Sequence, residues 1–258
     1  MTSRGMKRSQ SYLQRPFRVV FTRSNGAQEA RIHVVFKELL GSARERVIRL
    51  FFGELSAFVQ SGALSGDRIH PAAIRPQAPP ANVHAVTATQ EWTGMALPVE
   101  ALTCLLNMLE WLHHHEAPIL EVQLAWDTPV LPAVACATTF PPVWPNLGFV
   151  LAIDDACERR FAIEVTFRER QPLEYLDRVL HEFGAWFNAV NRGAYGDASV
   201  RPASCCLELT GEAVELSTER MVVYIDQFRA NESALDGLAN VLERVHRKLV
   251  AVECVTLG

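Results

Sequence analysis

Two long stretches of the chain repeat apolar residues every three or four positions, which is the spacing of an amphipathic helix. They cover residues 42–61 and 172–191, and a glycine follows each of them closely, as is typical past a helix end. Two further stretches, 98–115 and 232–248, are also predicted to be helical. The pattern therefore predicts four helices, two in each half of the chain.

Short runs of β-branched and aromatic residues, which are typical of strands, flank these helices. In the first half they cover 17–21, 32–36, 83–92 and 119–126. In the second half they cover 149–153, 161–167, 205–209 with an extension to 216 left open, 221–228 and 250–257. Asn25-Gly26 separates the first two runs and predicts that they pair as a hairpin. Each half is then predicted to have the order β-β-α-β-β-α-β, with one strand of the first half short or lost around its prolines.

The two halves are also similar in sequence, as becomes clear when the chain is compared with itself. At an offset of 131, residues 32–38 lie over 163–169 with four identities in seven positions. At an offset of 133, residues 101–113 lie over 234–246 with seven identities in thirteen. Because the two matches keep the same order and nearly the same spacing, the sequence predicts a tandem duplication.

These elements predict an α+β protein of two tandem ferredoxin-like repeats, each an antiparallel sheet with two helices on one face. The predicted repeats span residues 15–127 and 146–258. A flexible basic tail, 1–14, precedes the first repeat, and a proline-rich apolar connector, 128–145, joins the two. The predicted protein is thus a covalent pseudo-dimer, and the whole chain is expected to be a monomer or a homodimer.

Charge, apolar runs and cysteine content indicate which partners and which location are expected. The 258 residues carry 25 Lys and Arg against 29 Asp and Glu, a formal charge of −4, which gives no reason to expect nucleic acid or an anionic membrane. No apolar run reaches the length of a membrane helix, and residues 1–14 lack the apolar core of a secretion signal. The six cysteines form no Cys-x-x-Cys pair, so reduced thiols and a cytoplasmic location are expected.

Motifs for catalysis are missing from the sequence, which has no phosphate-binding loop, dinucleotide fingerprint, His-Glu-x-x-His or Gly-x-Ser-x-Gly. No catalytic residue, cofactor or metal is predicted, and an enzyme is not favoured. The histidines 113–115 are consecutive, and consecutive helical side chains point about 100° apart, so they are not expected to share one ion.

A polar row recurs on the second helix of each half. It consists of Asn107, Glu110 and His113 in the first half and of Asn240, Glu243 and His246 in the second. One interpretation is a pair of acid–base sites built from Glu110, His113, Glu243 and His246. The favoured interpretation is a solvated helix face with weak local contacts.

The expected function is therefore non-catalytic binding of a partner protein. Its most concrete form is an immunity or antitoxin-like role, because small acidic cytoplasmic proteins that neutralise bacterial toxins are of this general type. The predicted contact residues are those near the prolines of the first repeat and one tryptophan: Arg75, Pro76, Gln77, Pro79, Pro80 and Trp92. The alternative is an enzyme or carrier that holds a small apolar ligand between the two sheets, as in a dimeric α+β barrel.

Overall fold

The computed structural model describes eight segments of the chain: residues 15–22, 29–63, 82–93, 99–125, 147–153, 160–195, 214–226 and 232–258. The predicted tail 1–14, the connector 128–145 and the predicted strand 205–209 lie outside these segments. The chain divides into two compact units. Unit 1 comprises residues 1–56 and 69–138, and unit 2 comprises residues 57–68 and 139–258. The predicted repeat boundaries remain predictions.

The secondary structure has the predicted order twice, and the α+β class is confirmed. The first set is β1 Arg18–Thr22, β2 Glu29–Phe36, α1 Ser42–Gln60, β3 Asn82–His84, β4 Thr87–Thr93, α2 Val99–His115 and β5 Ile119–Ala125. The second set is β6 Val150–Ile153, β7 Arg160–Phe167, α3 Leu173–Asn191, β8 Val214–Leu216, β9 Arg220–Asp226, α4 Glu232–Lys248 and β10 Val252–Leu257. None of the helices in the described segments combines the length and apolarity needed to cross a bilayer.

Each set of strands forms one five-stranded sheet, and the two sheets have the same topology. The strand orders are β1-β5-β2-β4-β3 and β6-β10-β7-β9-β8. β1 runs parallel to β5, and β6 runs parallel to β10. All the other neighbouring strands are antiparallel. The sheets are therefore mixed: they differ from the predicted antiparallel sheets by one parallel pair of strands each.

The hairpin predicted from Asn25-Gly26 was also wrong, because β5 lies between β1 and β2. β5 carries apolar side chains that are fully buried, such as Val122 and Leu124, which lie opposite the buried Val34 and Ile32 of β2. β1 has no comparable set, and its Phe21 stays partly exposed. Burial of apolar surface thus favours β5 at the centre of the sheet and β1 at the edge.

The predicted strand 83–92 is in fact two strands joined by a tight turn. His84 of β3 pairs with Thr87 of β4, which leaves Ala85 and Val86 as a two-residue loop. This loop contains none of the Gly, Asn or Asp residues that usually indicate such a turn, and so the pattern did not reveal it. The partner strand of the first half is present but short, at three residues.

In unit 2 the two helices contact each other through a buried tryptophan. The indole Nε1–H of Trp186 in α3 donates to the backbone carbonyl of Ala234 in α4 at 2.8 Å. Tyr195, just after α3, has its ring packed edge-on against Phe58 at 5.8 Å. The same tyrosine fills the space beside Gly237 of α4, where an added Cβ would lie 2.1 Å from its hydroxyl oxygen.

Two helical glycines should therefore respond to alanine in opposite ways. Gly237→Ala should destabilise the protein by about 1–3 kcal/mol, because the buried Tyr195 ring must move to admit the methyl group. Gly184→Ala in α3 is the matched control, since an added Cβ there meets no atom within 4 Å. It should raise stability by up to about 1 kcal/mol through helix propensity. Urea unfolding of both variants measures this difference, and equal effects would contradict the packing described.

Candidate functional site

The polar row shared by both halves lies on the inner side of its helices, not on a solvated face. Asn240 and Glu243 are buried, and Asn107 is also buried. The favoured interpretation of the row as a solvated helix face was therefore wrong for these side chains. Since buried polar groups are costly unless they are hydrogen-bonded, the partners of the row explain its role.

The histidine of each row binds the backbone at the start of the last strand. The N–H of Ile119 donates to Nδ1 of His113 at 2.8 Å, and the N–H of Val252 donates to Nδ1 of His246 at 3.1 Å. Because Nδ1 of His113 accepts this bond, its ring in the neutral form carries the proton on Nε2. Nδ1 of His246 also lies 3.0 Å from the carbonyl oxygen of Val252, so this ring contacts both backbone groups of one residue. Each ring thus fixes the turn that leads from the second helix of its half into the last strand.

The glutamate of the second row holds the segment before β6. Glu243 accepts the backbone N–H of Gly148 at 2.7 Å with Oε2, and the Nε–H of Arg247 at 2.6 Å with Oε1. The carbonyl of Gly148 accepts a bond from the Arg168 guanidinium at 3.1 Å. An added Cβ at Gly148 would lie 2.6 Å from Nε2 of His246, so only glycine fits here without a shift.

In the first row the glutamate, Glu110, is hydrogen-bonded by a different donor. The residue that corresponds to Gly148 is Pro16, which has no N–H to donate. In its place the guanidinium of Arg15 pairs with Glu110 and donates to Oδ1 of Asn107 at 2.7 Å. The row in each unit therefore connects the second helix to the last strand and to the segment before the first strand, and its shared residues have an architectural role.

The three consecutive histidines contact different aromatic rings. His113 and His114 meet edge-on, with ring centroids 5.0 Å apart, whereas His115 stacks on Trp111 at 4.9 Å. Nε2 of His114 also lies 3.9 Å from Oε1 of Glu110. Within the described segments, no three His, Cys, Asp or Glu side chains are placed to hold a metal ion.

The contact residues predicted around the prolines cannot be located in the fold. Arg75, Pro76, Gln77, Pro79 and Pro80 lie outside the described residues. Trp92 belongs to β4, but its side chain also lies outside the description. Their part in binding stays a prediction.

A surface that the sequence analysis missed lies at one end of the sheet in unit 1. Here the chain leaving β2 bonds to the β3–β4 turn, since Phe36 N donates to Val86 O at 2.9 Å and Leu40 N donates to Ala85 O at 2.6 Å. The same segment also bonds to the chain just before β5, since Lys37 N donates to Pro118 O at 2.9 Å. Residues from three segments are thus brought together.

The corresponding end of unit 2 has the same backbone bonds. Phe167 N donates to Glu219 O at 3.0 Å, and Gln171 N donates to Thr218 O at 2.7 Å. Arg168 N donates to Ala251 O at 3.0 Å. Each bond matches one in unit 1 at an offset of 131 for its donor and 133 for its acceptor. The side chains at the two ends can therefore be compared position by position.

Three exposed positions differ sharply between these two ends. In unit 1 they are apolar, and we call them the sheet-end patch: Leu39, Val86 and Leu120, which are 75%, 40% and 54% exposed. In unit 2 the same positions hold exposed charged residues: Arg170, Glu219 and Glu253. Arg170 Nε lies 2.7 Å from Oε1 of Glu219, so two of these positions form a surface ion pair.

No protein-family model matches the chain, and no curated protein matches it. The function is therefore inferred from the geometry of the chain and from the contrast between its two halves. When the offset of 131 is continued past residue 38, Leu39 lies over Arg170, and this contrast of a leucine with an arginine in a loop was the available signal for the patch. The exposure of the patch residues and their spatial neighbours could be known only from the folded structure.

Burial, together with His114 and Lys37, lowers the pKa of His113 below its ordinary value of 6.5, and Glu110 opposes the shift. The unfolded chain then binds more protons than the folded one as the pH falls below 6.5, so stability is lost in that direction. In His113→Asn, an amide oxygen can accept the Ile119 N–H but does not titrate. Thermal unfolding from pH 7.5 to 5 should therefore show a smaller loss in this variant than in the wild type. Parallel curves would contradict the assignment.

Proposed function

We propose that the protein is a non-catalytic module that binds a partner protein through the sheet-end patch of unit 1. The observation that carries this proposal is the exchange of an exposed ion pair, Arg170–Glu219, for two exposed apolar side chains, Leu39 and Val86, at equivalent positions. Unit 2 shows that the fold itself does not need apolar residues there. Exposed apolar groups without a structural role are typical of interaction sites.

Charges of both signs surround the patch and favour a protein as the occupant. Lys37 is exposed beside it, and Glu38 pairs with Arg44 at 3.3 Å on the exposed start of α1. An apolar centre with a mixed charged rim is the usual composition of a protein–protein interface. The net charge of −4 does not favour a nucleic acid or an anionic membrane surface.

The proposal includes the ferredoxin-like class for both units. Without its first strand, each set of elements has the order β-α-β-β-α-β, and every remaining pair of neighbouring strands is antiparallel. The bond from Trp186 to Ala234 supports placement of both helices of unit 2 on one face. β1 and β6 are then additions at the edge of this core.

The most concrete form of the proposal is a cytoplasmic immunity or antitoxin-like protein that binds and neutralises another protein, such as a bacterial toxin. Residues 75–80 and Trp92 are proposed as further contacts. The alternative of a small apolar ligand between the sheets would use Glu110, His113, Glu243 and His246. These side chains already bind groups within their own units, so they are engaged in holding the fold. This favours the binding module over the alternative.

The double variant Leu39→Arg/Val86→Glu tests the patch with residues that the fold already accepts in unit 2. Binding should weaken at least tenfold, or by about 1.4 kcal/mol, because two apolar contacts are replaced by charges. The melting temperature should barely change, since surface substitutions usually alter stability by less than about 0.5 kcal/mol. Partners retained from a lysate of the source cells, and measured by native mass spectrometry, report the binding.

Leu50→Arg is the matched control, because Leu50 is 61% exposed on α1 but lies outside the patch. It should retain every partner that the wild type retains. If the double variant retains them equally well, the patch is not the binding surface. Alanine and glycine replacement across residues 75–80 should weaken the same interaction without lowering the melting temperature, and a lower melting temperature would assign that segment a structural role.

A further inference from the structure

Strand β6 is an edge strand with apolar side chains exposed on both of its faces. Its one strand neighbour in the described segments is β10. Its four residues are Val-Leu-Ala-Ile, without a charge or a proline. Val150 and Ile153 are 64% and 66% exposed, and because they are three positions apart they point to opposite faces of the sheet.

The equivalent edge in unit 1 has a charge in the same place. The first residue of β1, Arg18, lies opposite Glu121 of β5 and pairs with it at 3.3 Å. The matching positions in unit 2 are Val150 and Cys254, which lie opposite each other in the same parallel register. Charges on an edge strand discourage pairing with another chain, so unit 2 lacks a protection that unit 1 retains.

The edge strands on the other side of the two sheets, β3 and β8, are less suitable for pairing. β3 and β8, which end the two sheets on their other sides, are each three residues long, and short edge strands are one of the ways in which proteins avoid edge pairing. β6 therefore combines the features that favour addition of a strand: it is neutral, apolar on both faces and free of proline.

We propose that β6 pairs antiparallel with β6 of a second copy of this chain, so that two five-stranded sheets become one continuous sheet. A strand is the occupant that covers both faces of an edge at once, whereas a helix or a small ligand would cover one face. A second copy fits because the edge is neutral, so that self-pairing brings no like charges together. This association is independent of the sheet-end patch, which belongs to unit 1.

Symmetry then defines the register. A two-fold axis between adjacent antiparallel strands is perpendicular to the sheet, and it places one residue opposite its own copy. With Leu151 at the axis, Val150 lies opposite Ala152, and Phe149 lies opposite Ile153. All five residues from 149 to 153 then meet apolar residues of the other copy, and both exposed side chains gain a cross-strand neighbour.

Sedimentation velocity of the full-length wild type is the first test. The protein should shift from 28.8 kDa towards twice that mass as its concentration rises. The double variant Val150→Arg/Cys254→Glu copies the Arg18–Glu121 pair of unit 1 into the same register, and it should remain monomeric at concentrations where the wild type dimerises. Leu50→Arg is the matched control at an exposed leucine of α1, and it should dimerise like the wild type.

A disulfide at the axis tests the register. In Leu151→Cys, the two introduced cysteines would have Cα atoms about 4.5–5.5 Å apart, within the range of a disulfide. Mild oxidation should yield a covalent dimer in excess of that formed by the wild type and by Leu50→Cys. A wild type that is monomeric at every concentration, a dimer that persists in Val150→Arg/Cys254→Glu, or equal cross-linking of Leu50→Cys would overturn the proposal.

Discussion

The last strand of each unit is hydrogen-bonded on both sides, and the other elements are arranged around it. β5 and β10 run parallel to the first strand and antiparallel to the second, and their inward side chains are fully buried. The N–H at the start of each strand is held by a histidine ring of the preceding helix. Since that helix also carries the glutamate that holds the segment before the first strand, one face of it positions both the first and the last strand of its unit.

The two units act as internal controls for each other. Where they share a polar residue, as at His113 and His246, the structure shows the same bond to the backbone, so the shared chemistry is architectural. Pro16, at the position of Gly148, has no N–H to donate, and there the Arg15 side chain pairs with the partly buried carboxylate of Glu110 instead. Sharing of residues between the units therefore indicates what the fold requires.

Differences between the units at exposed positions indicate which surfaces are available for binding. Each unit keeps one charged pair where the other is apolar: Arg18–Glu121 at the edge of unit 1, and Arg170–Glu219 at the end of unit 2. The fold tolerates either type of residue at both places, because the backbone bonds around them are the same. This complementary distribution agrees with the two proposals, in which unit 1 binds a partner protein and unit 2 binds a second copy of the chain.

Local sequence was sufficient for the helices and the element order, because helix periodicity depends on residues close together in the chain. Comparison of the chain with itself predicted the duplication. Local sequence was insufficient for the sheet order: Asn25-Gly26 indicated a hairpin, but the buried side chains of β5 take the place beside β2. It was insufficient for the polar rows as well, since Glu243 is indistinguishable from a surface glutamate until Gly148, 95 residues away, is placed against it. Pairing between distant strands and burial are properties of the whole fold, so only the tertiary structure decided which shared residues stabilise it and which exposed ones are available for binding.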